Sequence, residues 1–198
     1  MKKTLRPSKL LSLGELMNTN EVIDSTGLVN KLMAKARAPE IPESQDVYGW
    51  LIRSWDLVIE FYGVDVSKFG WRGEVHFAWV LDGYAMQDTW TLPRWGQGDL
   101  HPDQVKVSTG TSLRVWSAEK KAWLITWINP VSGARDEMVG QRVGNQIVQL
   151  GHHKDGSIIR WSFREITNES FHWFGEVLEA DGATWRLEAA FAARRRKT

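Results

Sequence analysis

The feature that most constrains this chain is a series of short segments in which apolar and polar residues alternate. From about residue 50 onward the alternation has a period of two, which is typical of β-strands with one buried face. Turn residues separate the segments, and no helical pattern lies between them. The alternation predicts an all-β fold with strands at 50–61, 72–82, 84–93, 111–117, 121–129, 134–143, 145–152, 157–166, 169–178 and 183–194.

The turns between these segments favour antiparallel hairpins. Asp82-Gly83 and Gly144-Asn145 each separate two strands by two residues, a strong hairpin signal, and Gly144 takes the position that a type II′ turn prefers for glycine. Asp155-Gly156 and Asp181-Gly182 have the same turn chemistry. Consecutive hairpins form a meander, which is expected to close because closure removes exposed strand edges. We predict a roughly ten-stranded antiparallel barrel, with a flattened sandwich of two five-stranded sheets as the alternative.

Tryptophan divides the chain into two parts. Twelve of the 198 residues are tryptophan, and all of them lie between Trp50 and Trp185. Side chains of this size need a large core or a cavity to line. The first 49 residues contain no tryptophan but three of the six prolines. We therefore predict an N-terminal arm over residues 1–46 and a barrel domain over residues 47–198.

The arm contains one segment with helical spacing. Asp24 or Ser25 is suited to cap a helix that ends before Pro39. The apolar positions of this helix are Leu28, Val29, Leu32 and Met33. A single apolar stripe on a short helix does not support itself in water. It is expected to pack on the barrel, over an opening, or on a second subunit in a homodimer.

Composition excludes several classes of function. The net charge of +1 gives no general attraction to nucleic acid or membrane. Because the chain has no cysteine, disulfides and thiolate metal sites are excluded. No apolar run has the length of a transmembrane helix, and the start of the chain lacks a signal-peptide pattern. We expect a soluble, cytoplasmic protein that needs no metal or cofactor.

The first and last predicted strands resemble those of lipocalin-like (calycin) barrels. Arg53-Ser54-Trp55-Asp56 is similar to the Gly-x-Trp start of that superfamily, with Arg53 in place of glycine. The resemblance implies that Arg194 or Arg195 of the last strand lies across the Trp55 ring. GEVHFAWVLDGYAMQDTW and WINPVSGARDEMVG also resemble a bacterial family of uncharacterised lipocalin-like proteins. The similarity covers about residues 47–195 and implies a barrel that binds a small molecule, without implying a reaction.

Hairpin geometry sorts side chains onto two faces of the predicted sheet. The turn at Asp82-Gly83 pairs Phe77 with Asp88, and a two-residue turn at Thr167-Asn168 places His172 beside Phe163. The predicted inward face contains Val75, Phe77, Trp79, Asp88, Trp90, Trp127, Trp161, Phe163, His172, Phe174, Glu176, Trp185, Leu187 and Phe191.

The ionisable residues on this face are the candidate catalytic groups. Asp88, His172 and Glu176 either move a proton on a ligand or simply satisfy each other in the core. A one-residue register slip would turn them outward, in which case His76 with Glu74 becomes the inward polar set. His172 or His76 is also the residue to consider if a haem were bound, although no haem motif is present.

Two functions remain open at this point. The first is a carrier or sensor that holds a small, flat, hydrophobic or aromatic molecule, because tryptophan rings offer stacking surfaces. The second is a cofactor-independent isomerase, cyclase or lyase that uses the same cavity. The predicted ligand-binding residues are Phe77, Trp79, Trp90, Trp127, Trp161 and Phe174.

Overall fold

The computed structural model of the chain describes residues 26–92 and 108–197. In this part of the chain, ten strands form a closed antiparallel barrel in which each strand pairs with its neighbours in sequence and the last pairs with the first. The strands are β1 (Arg53–Tyr62), β2 (Arg72–Val80), β3 (Ala85–Leu92), β4 (Ser108–Ser117), β5 (Ala122–Asn129), β6 (Ala134–Val143), β7 (Gln146–His152), β8 (Ile158–Arg164), β9 (Ser170–Leu178) and β10 (Trp185–Arg195). The predicted meander barrel is confirmed, and the sandwich alternative is wrong.

The described part of the chain has few helices, and all of them are short. The α-helix α1 spans Thr26–Leu32 and ends well before the predicted boundary at Pro39. Its predicted caps, Asp24 and Ser25, lie outside the described residues. The 3-10 helices are Glu43–Gln45, Gly49–Leu51, Ser67–Phe69 and Leu81–Gly83. None of the described helices has the length and apolar character needed to span a membrane.

The hairpin registers predicted from the turns at Asp82-Gly83 and Gly144-Asn145 are confirmed. Phe77 pairs with Asp88 across β2 and β3. Val143 pairs with Gln146 across β6 and β7, and Gly144 has a φ of 59°, as the predicted turn requires. These turns are local, so their chemistry alone determines which residues face each other.

The predicted register between β8 and β9 is wrong by one residue. Phe163 pairs with Trp173 rather than with His172. The cause is the connection, which runs over residues 165–169 instead of being a two-residue turn at Thr167-Asn168. A shift of one residue exchanges the two faces of a strand. Consequently Trp173 points inward, whereas His172, Phe174 and Glu176 lie on the outer face.

An irregularity in β10 also departs from the predicted pattern. The pairing with β9 shifts between Leu187 and Ala189, so that Glu188 is an extra residue in the strand. Such a bulge changes the direction of the side chains around it. As a result, Glu188 and Ala189 both line the interior cavity described below. The predicted inward positions of Trp185 and Leu187 are wrong, because both precede the bulge: Leu187 pairs with the outward-facing Glu176, and Arg160 covers the Trp185 ring.

Residues 34–51 close one end of the barrel. The backbone N–H of Ala34 donates to Trp79 O at 2.9 Å, and that of Ala38 donates to Gly83 O at 3.0 Å. Gly83 has a φ of +86°, and a side chain there would collide with the backbone of residues 36–38. The buried apolar side chains of this segment are Ala38, Ile41, Val47, Tyr48 and Leu51.

The contact implied by the resemblance of the first and last strands is present. Trp55 is fully buried, and Arg195 Cζ lies 4.3 Å from the centre of its ring. The Arg195 guanidinium donates to Trp50 O at 2.8 Å and to Asn168 O at 2.6 Å. Arg194, the other candidate, is exposed. Arg195 therefore ties β10 to the start of β1 at the closed end of the barrel.

Candidate functional site

A cavity inside the barrel has a volume of about 670 Å³ and lies in the half opposite residues 34–51. Its walls come from strands all round the barrel. The aromatic side chains that line it are Tyr62, Trp71, Trp90, Trp127, Trp161, Trp173 and Phe191.

Five of these rings form a continuous wall. Trp127 meets Trp161 at 5.6 Å between ring centres, and Trp161 meets Trp173 at 5.3 Å. Trp173 stacks on Phe191 at 5.0 Å and lies 5.6 Å from Trp90. Rings held in place by one another present fixed flat surfaces. The wall is thus suited to a flat apolar molecule.

The floor of the cavity contains a buried ion pair. Arg114 lines the cavity and donates from Nη1 to Asp88 Oδ2 beneath it. Asp88 also accepts the backbone N–H of Ser112 at 2.7 Å. Arg114 Nε and the Tyr48 hydroxyl both donate to Gln149 Oε1, at 3.3 Å and 3.2 Å. The network joins the floor of the cavity to the segment that closes the barrel.

Polar atoms in this network keep unused hydrogen-bonding capacity. Among the described residues, the buried Ser112 Oγ and Gln149 Nε2 have no hydrogen-bond partner. Burial raises the pKa of the Tyr48 hydroxyl, and the positive charge of Arg114 opposes that effect. The Tyr48 hydroxyl therefore stays protonated and acts as a hydrogen-bond donor.

The upper part of the cavity holds a second polar group that the sequence analysis missed. His153 Nδ1 lies 2.9 Å from Asp136 Oδ1, and His153 Nε2 lies 3.5 Å from Glu188 Oε2. Asp136 is only 3% exposed. The hydrogen bond to Asp136 is the main cause that raises the pKa of His153 above its ordinary value; burial opposes it, and the charges of both carboxylates add to it. All three side chains line the cavity.

The inward position of one member of this group, Asp136, could have been predicted from the sequence. Asp136 pairs with Trp127 across β5 and β6, so the predicted inward position of Trp127 places Asp136 inward too. His153 lies in the connection after β7, where alternation gives no direction. Glu188 owes its position to the bulge. Neither of the last two residues carries a signal that single-sequence reasoning can use.

The predicted inward residues divide into two groups within the barrel. Trp90, Trp127 and Trp161 line the cavity. Asp88 is inside but lies beneath the floor, and Phe77 and Trp79 are buried without lining the cavity. Phe77 lies 6.2 Å from Trp90 and 5.8 Å from the Arg114 guanidinium, so it supports the wall and the floor from behind.

The other predicted site residues lie on the outside of the barrel. His172 Nδ1 lies 2.8 Å from Glu165, and Phe174 is covered by Arg164. Glu176 accepts hydrogen bonds from Arg160 and Arg164. The predicted grouping of Asp88, His172 and Glu176 is wrong, because the one-residue register shift at β9 moves the last two to the outer surface.

His76, the alternative polar residue, is also on the outer face. Its Nδ1 lies 2.8 Å from Ser54 Oγ. Because neither His76 nor His172 reaches the cavity, neither is placed to ligate a haem there. In the part of the chain that the structure describes, no three His, Asp or Glu side chains are grouped as metal ligands.

The His153 ion pair leads to a prediction about stability and pH. A folded-state pKa above the unfolded value means that the stabilisation is complete below the unfolded pKa and is lost as pH rises through the folded pKa. We expect the wild-type protein to have a higher unfolding free energy than the His153→Gln variant at about pH 5.5. This difference should be up to about 1 kcal/mol larger at about pH 5.5 than at about pH 9. Urea denaturation at several pH values measures this, with the exposed His152→Gln as control. A difference that grows with pH would contradict the ion pair.

No protein-family model matches this chain, and no curated protein matches its sequence. The structure itself shows the architecture, which is a closed ten-stranded antiparallel barrel with an aromatic cavity.

Proposed function

We propose that this chain is a lipocalin-like barrel that binds a small, largely apolar molecule in its cavity, as a carrier or sensor. The superfamily assignment is supported by the meander of ten strands and by Arg195 lying across the buried Trp55. Binding is supported above all by one observation, the continuous aromatic wall from Trp127 to Trp90.

The dimensions of the cavity agree with this proposal. A volume of about 670 Å³ falls within the range of ordinary small-molecule sites. Seven of the lining residues described here are aromatic, and Ser112 at the floor has an unused hydroxyl. Such an arrangement holds a flat body by stacking and fixes its orientation with one or two polar atoms.

The wall gives a direct test of binding. Trp161→Ala is expected to weaken the binding of N-phenyl-1-naphthylamine, a neutral flat fluorophore, by about tenfold, because one stacking surface is lost. Trp185→Ala removes an equally large ring from the outer face, where Arg160 covers it at 4.1 Å, and is the matched control. Probe fluorescence titration measures both affinities. If wild type does not bind the probe, or if both variants weaken binding equally, the cavity is not the binding site.

A second candidate function is acid–base catalysis in the same cavity. It is favoured by His153, whose Nδ1 faces the buried Asp136 as a catalytic base faces the group that orients it. A cofactor-independent isomerase, cyclase or lyase needs little more than such a base in an enclosed pocket. In an enzyme, His153→Gln abolishes turnover of a bound compound and leaves binding intact; in a carrier no product forms with either protein.

The N-terminal arm is the part of the chain through which we propose that a homodimer forms. The division into residues 1–46 and 47–198 and a homodimer through the arm stay predictions, as does the cytoplasmic location. The dimer is supported by α1, on which Leu28 is 71% exposed and Val29 51% exposed. Sedimentation of wild type and of a Leu28→Glu, Val29→Glu variant tests this: a dimer that becomes a monomer supports the arm as the contact.

A further inference from the structure

We infer that the cavity selects a ligand that joins a flat apolar body to a protonated amine, with the amine at the carboxylates of Asp136 and Glu188 beside His153. This inference rests on the proposed ligand-binding function and names the chemical class of the ligand. It depends on the charges around the cavity and on the aromatic faces next to them.

The charges that line the cavity leave an excess of carboxylate. Among the described residues, the acidic, basic and histidine side chains of the lining are Arg114, Asp136, His153 and Glu188. The positive charge of Arg114 is already neutralised by Asp88, which it contacts directly. Two carboxylates then face one histidine. A cation entering the cavity finds compensating charge there, whereas an anion does not.

The charged groups behind these side chains do not reverse that balance. Arg186 Nη2 lies 3.5 Å from Glu188 Oε1, but Arg186 is largely exposed and makes a closer contact, at 2.6 Å, with Glu179. Asp155, in the turn after β7, interacts electrostatically with His153 and adds a negative charge on that side. Exposed pairs such as Arg186–Glu188 are weak because water screens them.

The aromatic wall favours a cation at the same place. Trp127 is the direct cross-strand partner of Asp136 and is in edge contact with Trp161. The faces of indole rings carry negative charge density and attract cations, most strongly where water is excluded. A carboxylate beside a tryptophan wall therefore forms a site for an ammonium group attached to an aromatic or alicyclic body.

An acidic ligand is the less favourable choice. Its only cationic partner in the described lining other than His153 is Arg114, which already donates to Asp88 and Gln149. An added carboxylate would share a guanidinium with Asp88 in a buried floor, where like charges repel strongly. The amine, by contrast, meets carboxylates whose main partner is a histidine that can release its proton.

Binding of an amine should therefore compete with protonation of His153. The groups that face His153 are Asp136 from β6, Glu188 from β10 and Asp155 from the turn. When an ammonium group occupies the carboxylates, they stabilise the histidine proton less. Amine affinity is expected to fall as pH falls through the raised pKa of His153. The affinity of a neutral ligand should not follow this change.

The experiment compares three naphthalene derivatives of nearly equal size by isothermal titration calorimetry with the full chain. They are the amine 1-naphthylmethylamine, the alcohol 1-naphthalenemethanol and the carboxylate 1-naphthaleneacetate. At about pH 8 we expect the amine to bind at least about tenfold tighter than the alcohol, and the acetate to bind more weakly than both. Between about pH 8 and about pH 5.5 the preference for the amine over the alcohol should shrink.

Variants locate the amine. Asp136→Asn and Glu188→Gln should each reduce amine affinity by about tenfold or more and change alcohol affinity by less than about twofold. Glu179→Gln is the matched control: it removes the same charge next to Arg186 but lies outside the cavity lining. If Asp136→Asn fails to fold, Glu188→Gln keeps the test decisive because the Glu188 side chain is 37% exposed.

The outcomes separate this inference from the proposed function. If amine and alcohol bind equally, or if Glu179→Gln acts like Glu188→Gln, the amine specificity is wrong while the binding function stands. If the acetate binds best, the specificity is likewise wrong. If none of the three compounds binds, the proposed function itself fails. Tight amine binding that is lost in both cavity variants supports the inference.

Discussion

Replacing Asp88 with alanine is expected to lower the free energy of unfolding by about 3–5 kcal/mol, since it leaves the Arg114 charge uncompensated inside the barrel. Asp88 and Arg114 are each 1% exposed. The variant also removes the acceptor of the Ser112 backbone N–H. Urea denaturation followed by tryptophan fluorescence measures the change.

Two controls distinguish a buried charge from an ordinary ion pair. Glu137→Ala breaks the surface pair of Arg135 and Glu137, which are 67% and 70% exposed, and should cost less than about 1 kcal/mol. The double variant Asp88→Leu, Arg114→Met removes both buried charges and should recover much of the loss. If Asp88→Ala lowers the unfolding free energy by less than about 1 kcal/mol, water reaches the Asp88–Arg114 pair, and that result would contradict its burial.

Replacing Trp55 with alanine is expected to cost a similar amount, about 3–5 kcal/mol, because a large core aromatic is lost and a cavity remains. Trp55 packs against Phe171 at 4.8 Å and Trp50 at 5.9 Å between ring centres, and its Nε1 donates to Leu51 O at 2.7 Å. The substitution also removes the ring that Arg195 covers, so one of the contacts that tie β10 to the start of β1 is lost.

The matched control is Trp185→Ala on the outer face, which is partly exposed and covered on one side by Arg160. We expect it to cost no more than about 1–2 kcal/mol, since little core volume is lost. Chemical denaturation of the two variants side by side gives both values. Equal losses would show that Trp55 does not hold the barrel closed as its contacts indicate.

The sequence was sufficient for the architecture because hairpins are local. Period-two alternation marked every strand, and two-residue turns such as Asp82-Gly83 paired Phe77 with Asp88 correctly. The resemblance at Trp55 also led to Arg194 or Arg195, of which Arg195 makes the contact. In each of these cases the decisive residues are adjacent in sequence or belong to a recognisable motif.

The candidate site was only partly predictable because it depends on loop length and on residues that are distant in sequence. Trp90, Trp127 and Trp161 follow from alternation, and all three line the cavity. The predicted His172 and Glu176 fail because the β8–β9 connection spans 165–169 rather than two residues. Loop length is weakly encoded by a single sequence, yet a change of one residue exchanges the faces of a strand.

The sequence by itself determined that this chain forms an antiparallel meander of about ten strands with tryptophan inside, since alternation and turn chemistry act over a few residues at a time. Only the tertiary structure decided which ionisable groups meet in the cavity. Asp136, His153 and Glu188 come from β6, a turn and a bulge in β10, and the barrel brings them together only when it closes. Closure sets the bulge and the loop path through the geometry of all ten strands at once, and no local pattern records that constraint.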